Sequence, residues 1–304
     1  MKVMQRKIIV IGSGLDCVVQ EFARQLPEEF RHEFCFIDQD LFGYGIWLDN
    51  KKWYLASGRE VRHQDITGVW NRLVDVSIDN HSERQSIEQY TCYLMDEIYS
   101  HVLNRPKDAM SNYAKQYQID LIQTQRLQKI DSYICANAQL GWGVAQQPLI
   151  RKSMSGVRSV VERLHPKDKC RFVKEPVLFQ PYIKGTNIRV HVIGQAVIAC
   201  QCDSLAVDYR YDRKLKIKKV TLPAWLCQEC RQITKQLNLI FSGIDLIYAK
   251  NRYYLLEVNT APGYAFFDID HVISHTIINN LRGQDDRSAG RKNWKIKQDR
   301  GQIN

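Results

Sequence analysis

Two short apolar runs near the carboxyl-terminal end, each interrupted by one acidic residue, constrain this sequence most. Residues 243–248 are apolar apart from Asp245, and residues 253–258 are apolar apart from Glu257. Both runs are predicted to be β-strands. A tight turn at residues 250–252 would join them, since the Asn in that segment tolerates the left-handed backbone of hairpin turns. The hairpin would then place Asp245 opposite Glu257.

Three oxygen-bearing side chains are expected to converge on this hairpin. Asn259 follows Glu257 by two residues, so it projects from the same face of the strand. Together with Asp245 they form a set of two carboxylates and one amide oxygen, which suits Mg²⁺ bound jointly with phosphates. For any one of them, a place on the solvated face of a sheet is the alternative. All three at compatible register favour a cation site, because unpaired buried carboxylates are costly.

Composition narrows the class of protein. The chain has 304 residues, of which 44% are hydrophobic, so it can bury a core divided into two or three lobes. No apolar run approaches the length of a membrane span, and no membrane association is expected. The nine scattered cysteines are an odd number, which favours reduced thiols in a cytoplasmic protein over a disulfide framework.

Charge points to an acidic partner. The net charge of +10 fits a nucleotide, an acidic peptide or a nucleic acid. A nucleic-acid-binding role rests on this charge alone, because the sequence lacks the aromatic and basic pattern of a known module. The alternating lysines of residues 213–219 are predicted to lie on a solvated strand face, with a groove for an acidic peptide as the alternative.

The amino-terminal part predicts a β-α-β unit. Residues 7–12 and 32–38 have the apolar character of buried strands, and residues 18–26 form a helical run between them. Cys17 stands where a dinucleotide-binding fingerprint needs its third glycine, so a plain strand-to-helix turn is favoured over a dinucleotide site. Further along, apolar residues at spacings of three and four predict an amphipathic helix over residues 84–103.

The hairpin and its continuation, Leu-Glu-Val-Asn-Thr-Ala-Pro-Gly at residues 256–263, resemble the carboxyl-terminal signature of ATP-grasp carboxylate–amine ligases. The sequence is most similar to the branch of ribosomal-protein-tail glutamate ligases and graspetide (microviridin-type) peptide maturases. The resemblance extends from about residue 68 to residue 270.

This resemblance implies an ATP-grasp fold of α/β class, with α+β character in the carboxyl-terminal half. The expected divisions are a Rossmann-like pre-ATP-grasp lobe, a small central lobe, a carboxyl-terminal antiparallel-sheet lobe and a basic, disordered tail. Their boundaries are residues 1–104, 105–183, 184–282 and 283–304.

The resemblance also implies a nucleotide site. Lys152 is similar to the family's strand lysine, and the small residues after it are similar to its phosphate-covering loop. Residues 179–183 resemble the hinge that recognises adenine and ribose, although Pro181 stands where the family commonly has an acid. The implied nucleotide-binding residues are Lys115, Lys152, Ser155, Gly156, Gln180, Tyr182 and Ile183. For Lys115, a solvated helix lysine is an equal alternative.

Two arginines are implied as catalytic residues. Arg189 ends a Gly-Thr-Asn-Ile-Arg segment similar to the family's Gly-x-Asp-Ile-Arg, with Asn187 in place of the Asp. Arg210 lies in an Asp-Tyr-Arg segment similar to the Asp-Trp-Arg of graspetide maturases. A guanidinium presents a planar fork that fits phosphate oxygens. Arg72, at the end of another predicted strand, is expected either at the cleft or on the surface.

The implied activity is ligation. ATP would activate a carboxylate as an acyl-phosphate, which an amine, or less often a hydroxyl, would then attack on a peptide or amino-acid substrate. Mg²⁺ held by Asp245, Glu257 and Asn259 would accompany ATP, with two ions expected and Mn²⁺ as an alternative. A small-molecule kinase and a nucleotide-binding regulator without ligase activity remain open, as do the identities of the carboxylate and the nucleophile.

Four cysteines in two pairs offer an alternative metal site. Cys200 and Cys202 lie in a predicted strand, whereas Cys227 and Cys230 lie in a predicted helix. Zinc ligands usually occur in knuckle turns, so buried, inert thiols are favoured.

Overall fold

The computed structural model describes residues 6–74, 82–135, 148–153, 161–164, 176–204, 212 and 214–284. In this part of the chain four sheets are present, and two of them carry helices against their faces. None of the helices described there combines the length and hydropathy needed to cross a membrane.

The amino-terminal lobe is built on a parallel sheet of four strands in the order β2-β1-β6-β7. These strands are β1 (Lys7–Gly12), β2 (Phe34–Asp38), β6 (Ile66–Arg72) and β7 (Val102–Leu103). Helix α1 (Cys17–Gln25) connects β1 to β2, and Asp16 caps its amino terminus by accepting from the Val18 amide. The predicted β-α-β unit is therefore confirmed.

A small antiparallel sheet and a helix complete this lobe. The sheet contains β3 (Trp47–Leu48), β4 (Lys52–Tyr54) and β5 (Glu60–Arg62). Helix α2 (Ser82–Tyr93) continues directly into a π-helical turn, Leu94–Ile98.

The helix predicted over residues 84–103 is wrong at its carboxyl-terminal end. Val102 and Leu103 form strand β7, and they are 2% and 0% exposed in two different hydrophobic clusters. Consecutive side chains that point to opposite faces are typical of a strand and not of a helix. The Arg105 guanidinium donates to carbonyl oxygens in the last helical turn and just beyond it, those of Met95, Asp96, Tyr99 and Ser100.

The middle of the chain contains short helices and a second sheet. Helix α3 (Pro106–Ala109), a 3₁₀ turn and helix α4 (Lys115–Leu121) lead to strand β8 (Gln128–Lys129). The antiparallel sheet that follows has the order β11-β10-β12-β9. Its strands are β9 (Tyr133–Cys135), β10 (Leu149–Ser153), β11 (Val161–Leu164) and β12 (Val177–Pro181).

The carboxyl-terminal lobe is a six-stranded sheet in the order β15-β14-β13-β16-β17-β8. All neighbours are antiparallel except β8 and β17. The other strands are β13 (Thr186–Ile193), β14 (Ala196–Asp203), β15 (Lys216–Val220), β16 (Phe241–Ala249) and β17 (Arg252–Asn259). Lys250 and Asn251 both have positive φ in the tight turn between β16 and β17, which confirms the predicted hairpin. The turn is shorter than the predicted residues 250–252, because Arg252 already pairs with Ala249.

Two helices cover this sheet on opposite faces. Helix α5 (Ala224–Gln236) packs in a cluster with Val190 and Ile244 of the sheet. Helix α6 (Val272–Leu281) packs in another cluster, which also contains β1 and β6 side chains of the amino-terminal lobe, among them Ile8 and Trp70. The amino-terminal and carboxyl-terminal lobes therefore share one hydrophobic core.

The four cysteines considered for zinc do not form a single site. Cys200 and Cys202 belong to the cluster under α6, whereas Cys230 belongs to the cluster under α5 and Cys227 packs against it. Burial raises the pKa of the Cys202 and Cys230 thiols, each to about 12. A zinc ligand must be a thiolate. Protonated thiols on opposite faces of a sheet are therefore core residues rather than zinc ligands.

Candidate active site

The register of three neighbouring strands arranges six residues in two rows on one face of the large sheet. Asp245 of β16 pairs with Arg189 of β13 on one side and with Glu257 of β17 on the other. In the next row Gly243 pairs with His191 and with Asn259. The predicted placement of Asp245 opposite Glu257 is confirmed. We call these six positions the polar grid.

A β-bulge lies directly beside the polar grid. Asp245 pairs with Glu257, but the next residue of β16, Leu246, pairs with Leu255, so Leu256 has no partner opposite it. Without this extra residue Asp245 would pair with Leu256 rather than with Glu257. Bulges commonly occur next to functional sites, where they re-aim side chains.

Of the three oxygen-bearing side chains expected to converge, Asn259 contacts both carboxylates. The Asn259 Nδ2 atom lies 3.1 Å from Asp245 Oδ2 and 3.3 Å from Glu257 Oε1. An Asn amide turned by 180° presents its oxygen in place of its nitrogen, so the set can offer two carboxylates and one amide oxygen. Among the described residues no group of three or more His, Cys, Asp or Glu side chains is arranged for a metal ion. Two carboxylates nevertheless fit Mg²⁺, which is usually bound by one or two carboxylates and the substrate phosphates.

Three cations from three separate elements surround these carboxylates. Lys115 Nζ, from the first residue of α4, lies 3.2 Å from Glu257 Oε2, and Lys152 Nζ, from β10, lies 3.9 Å from the same oxygen. Arg189 Nη1 donates to Asp245 Oδ2 at 2.7 Å. The side chains of these pairs are between 7% and 23% exposed. Opposite charges at this depth offset the cost of removing the carboxylates from water.

Arg189 is the most enclosed of the three cations. Its Nε atom lies 3.4 Å from His191 Nε2, and its guanidinium lies 5.8 Å from the centroid of the Phe267 ring. A Cβ atom added to Gly243 would lie 2.5 Å from Arg189 Nη2. The guanidinium therefore fills the space that the missing side chain of Gly243 leaves in the polar grid.

His191 is a neutral member of this group. It is fully buried, and its Nε2 atom also lies 3.3 Å from the Gly263 carbonyl oxygen. Burial, and after it the positive charge of Arg189, hold the pKa of His191 well below its ordinary value. Sequence reasoning missed both His191 and Gly243. Their only signal was their register, since His191 follows Arg189 by two residues and Gly243 precedes Asp245 by two.

Two side chains of the amino-terminal lobe hold the loop after β17. Arg72 Nη1 donates to the carbonyl oxygens of Ala261 and Pro262 at 3.1 and 3.4 Å, and Arg72 Nη2 contacts Asp16 Oδ2 at 2.6 Å. Asn104 Nδ2 donates to the Thr260 carbonyl oxygen at 2.6 Å. Arg72 thus lies at the junction of the two lobes rather than on an outer surface.

Asn104 also fixes the start of β16. Its Oδ1 atom accepts from the amides of Ile240 and Phe241 at 2.8 and 3.0 Å, and its Nδ2 atom donates to the Phe241 carbonyl oxygen. A buried amide that makes bonds with both of its ends holds its neighbours in one arrangement. Asn104 therefore connects both ends of the hairpin that carries Asp245 and Glu257.

The residues implied in adenine and ribose recognition lie at the end of β12, beside the strand of Lys152. Gln180 is 4% exposed and donates to Ser132 Oγ at 2.8 Å. The Tyr182 amide donates to the Pro148 carbonyl oxygen at 2.9 Å, and its ring lies 3.9 Å from the Arg163 guanidinium. Ile183 follows in the connection to β13. Pro181 ends β12, where its missing N–H costs no ladder bond.

Three predicted site residues and the predicted tail lie outside the described part of the chain. These are Ser155, Gly156 and Arg210, together with residues 285–304 of the tail. The basic strand was predicted on a solvated face, and Lys216, Lys218 and Lys219 of β15 are exposed at the edge of the large sheet.

Comparison with known proteins gives one family and a consistent set of folds. The profile of the RimK-like ATP-grasp domain family matches residues 114–281. A probable alpha-L-glutamate ligase of Pasteurella multocida (strain Pm70) is 32% identical over 132 residues, which cover 39% of this chain and 42% of that protein. The chain therefore aligns with less than half the length of this curated relative.

Two solved structures show the same fold over nearly the whole chain. ATP-grasp ligase PsnB complexed with minimal precursor has a TM-score of 0.75 at 21% identity, covering 93% of this chain and 99% of that one. Macrocyclase MdnC bound with precursor peptide MdnA, from Microcystis aeruginosa MRC, has a TM-score of 0.70 at 14% identity, covering 91% and 99%. The predicted ATP-grasp fold is thereby confirmed.

Proposed function

The chain belongs to the RimK-like ATP-grasp family, and on that basis we propose that it is an ATP-dependent ligase that joins a carboxylate to an amine, with a hydroxyl as an alternative nucleophile. One observation carries the proposal. Asp245, Glu257 and Asn259 converge with Lys115, Lys152 and Arg189 at one place. Phosphoryl transfer needs such a concentration of charge, because catalysis consists mainly of positioning and electrostatic stabilisation.

The reaction has two steps. In the first, a carboxylate oxygen of the substrate attacks the γ-phosphorus of ATP, the bond to the ADP oxygen breaks, and an acyl-phosphate forms. In the second, the amine attacks the acyl carbon, inorganic phosphate leaves, and the amine nitrogen loses its proton to solvent. Both steps develop negative charge on oxygens, which fixed cations and N–H donors stabilise.

Each group of the site has a part in these steps. Asp245, Glu257 and Asn259 would hold the magnesium that accompanies ATP, which supplies positive charge to the β- and γ-phosphates. Lys115 and Lys152 would bind the α- and β-phosphates as point charges. Arg189, and with it Arg210, would stabilise the transferred phosphoryl group and the tetrahedral oxyanion. Ser155, Gly156, Gln180, Tyr182 and Ile183 are proposed to bind the rest of the nucleotide.

We propose two ions per ATP. Asp245 and Glu257 pair directly on neighbouring strands, and their two carboxylates together offer four oxygens that two ions could share. Titration with Mn²⁺, followed by electron paramagnetic resonance in the presence of ATP, would count two bound ions per chain. A count of one would reduce the proposal to a single-ion site.

A peptide or amino-acid substrate is proposed from the relatives. The Pasteurella multocida relative is named for glutamate ligation, and the two solved structures are described with precursor peptides. The net charge of +10 favours an acidic peptide. Incubation of the protein with ATP, Mg²⁺ and candidate acidic peptides, followed by mass spectrometry, would show loss of one water for each new bond.

Trapping of the activated acid separates ligation from simple kinase chemistry. Hydroxylamine attacks an acyl-phosphate and gives a hydroxamate, whereas the phosphate ester formed by a kinase acting on a hydroxyl resists it. The proposed function predicts ADP release together with hydroxamate. ADP release without hydroxamate would indicate a kinase, and absence of ADP release with every substrate tested would indicate a nucleotide-binding protein without ligase activity.

A further inference from the structure

One position of the polar grid carries no side chain. Five of its six residues are polar or charged, and the sixth is Gly243, in the middle strand between His191 and Asn259. Its backbone has the extended conformation of a strand, so no positive φ requires glycine there. The reason for glycine is therefore space.

The space above Gly243 is occupied by Arg189. A Cβ atom at Gly243 would lie 2.5 Å from Nη2 and 2.8 Å from Cζ of Arg189, and 2.6 Å from Pro262 Cβ. Real Cβ atoms do not approach other atoms so closely, so either the guanidinium or the proline would have to move. Nη2 is the nitrogen that lies over Gly243, and Nη1, bonded to the same Cζ, donates to Asp245 Oδ2.

The other end of the guanidinium is held by His191. Its Nε2 atom faces Arg189 Nε at 3.4 Å, and its ring packs at 5.3 Å from the Phe267 ring. Both rings, the Gly243 backbone and Asp245 thus limit where the guanidinium can lie. Arginine has many rotamers, and a planar group confined on several sides keeps one of them.

We propose that Gly243 and His191 are positioning residues that form a slot for the Arg189 guanidinium and so set its place beside the transferred phosphoryl group. Gly243 supplies the room, and His191, in the tautomer protonated at Nδ1, supplies Nε2 as the acceptor for the Arg189 Nε–H. The proposal deepens the proposed function and rests on it for its kinetic consequences. Neither residue is proposed to contact the reacting atoms, and both act through Arg189.

The kinetic test is a double-mutant cycle. Gly243→Ala is expected to lower kcat about 100-fold with little change in the ATP dissociation constant, since a displacement near 1 Å has an effect of this order. In an Arg189→Ala background the same Gly243→Ala change is expected to have an effect below about threefold, because its target is gone. An equal loss in both backgrounds would overturn the proposal, since Gly243 would then act through Pro262 or the fold.

His191 is tested by a conservative pair of variants. His191→Gln keeps an acceptor near the position of Nε2, whereas His191→Phe keeps the ring and removes the acceptor. The slot predicts that His191→Gln retains most of kcat and His191→Phe loses about tenfold or more, as for a hydrogen bond to a charged group. Equal losses would assign His191 a packing role only. This pair also decides the proposal if Gly243→Ala does not fold.

A binding test needs no enzymatic activity. In Arg189→Ala, millimolar guanidinium chloride is expected to raise Tm relative to the same concentration of sodium chloride, because the free ion enters the slot beside Asp245. In Arg189→Ala/Gly243→Ala the slot is filled and the rise is expected to disappear. A rise of equal size in both proteins, or in neither, would overturn the slot. Because this test uses no ATP, its outcome is independent of the proposed ligase activity.

Discussion

The two sheets that meet at the shared core use their acidic residues in different ways. At the edge of the parallel sheet, Asp16 pairs with Arg72 of the same lobe and Asp38 accepts from the nearby amides of Gly14 and Asp40. In the antiparallel sheet, Asp245 and Glu257 are approached by cations from a helix, a strand of another sheet and a neighbouring strand. Acidic residues whose partners come from the same lobe indicate a structural role. Two carboxylates approached by cations from three separate elements indicate a functional site.

The largest effect is expected at the convergent carboxylates. Asp245→Asn together with Glu257→Gln should lower ligase turnover by at least about 1000-fold, since this removes the anionic metal ligands. The circular dichroism spectrum should stay unchanged because both substitutions preserve shape. Asp203→Asn is the matched control: this acid lies on the same sheet, 45% exposed beside Lys218, and should have little effect. Unchanged turnover in the double variant would remove the metal assignment.

The next largest effect is expected on stability, at the Arg72–Asp16 ion pair of the amino-terminal lobe. Arg72 and Asp16 are only 11% and 12% exposed, so Arg72→Met leaves Asp16 without its ion-pair partner and frees the loop at Ala261. We expect a loss of about 3 kcal/mol in the free energy of unfolding, the lower end of the range for breaking a buried pair. Urea denaturation measures it. Arg31→Met, which breaks an exposed pair with Glu28, should change almost nothing.

The two lysines should have a smaller effect, confined to the nucleotide. Lys115→Met and Lys152→Met are each expected to weaken ATP binding about tenfold, or about 1.4 kcal/mol. Because both lysines contact Glu257, their effects should not add in the double variant. Isothermal titration calorimetry with Mg·ATP measures both. Lys129→Met, which changes an exposed lysine of β8 at the edge of the large sheet, is the control, and an equal effect there would refute the assignment.

The smallest effect concerns pH. The pKa of His191 is depressed in the folded protein, whereas the unfolded chain takes up a proton near pH 6.5. Below that pH the unfolded state binds more protons, so stability falls as pH falls, by up to about 1.4 kcal/mol per pH unit. His191→Gln should have a shallower dependence between pH 7 and pH 5.5 in urea denaturation. His275, whose pKa burial also lowers, is present in both proteins and cancels. Equal slopes would contradict the depressed pKa of His191.

The hairpin could be predicted because its signals are local. The two apolar runs and the left-handed tendency of Asn251 predict two strands joined by a tight turn. The observed two-residue turn alone would place Asp245 opposite Leu256, and the bulge at Leu256 places it opposite Glu257 instead. The first β-α-β unit was predictable for the same reason. These elements depend on neighbours within a few residues.

The rest depends on long-range contacts. Val102 and Leu103 fit a helical spacing in the sequence, but they pack in two different hydrophobic clusters, which requires the strand conformation. Lys115 was assigned to the site by family resemblance alone, since nothing in its helix indicates where it points. The role of Gly243 depends on the pairing of β13 with β16, which places Arg189 over it. Pairing between distant strands is weakly encoded in local pattern.

The last helix has a consequence for how the protein is made. The Leu281 carbonyl oxygen lies so close to Gly68 of β6 that a Cβ atom there would be 2.6 Å from it, and Arg282 pairs with Glu33 at 3.0 Å. The first lobe is synthesised before α6, yet part of its apolar surface is covered by α6. We expect a chain stopped at residue 271 to bind a hydrophobic dye that the full chain excludes. Nascent chains would therefore need shelter from self-association until translation has passed α6.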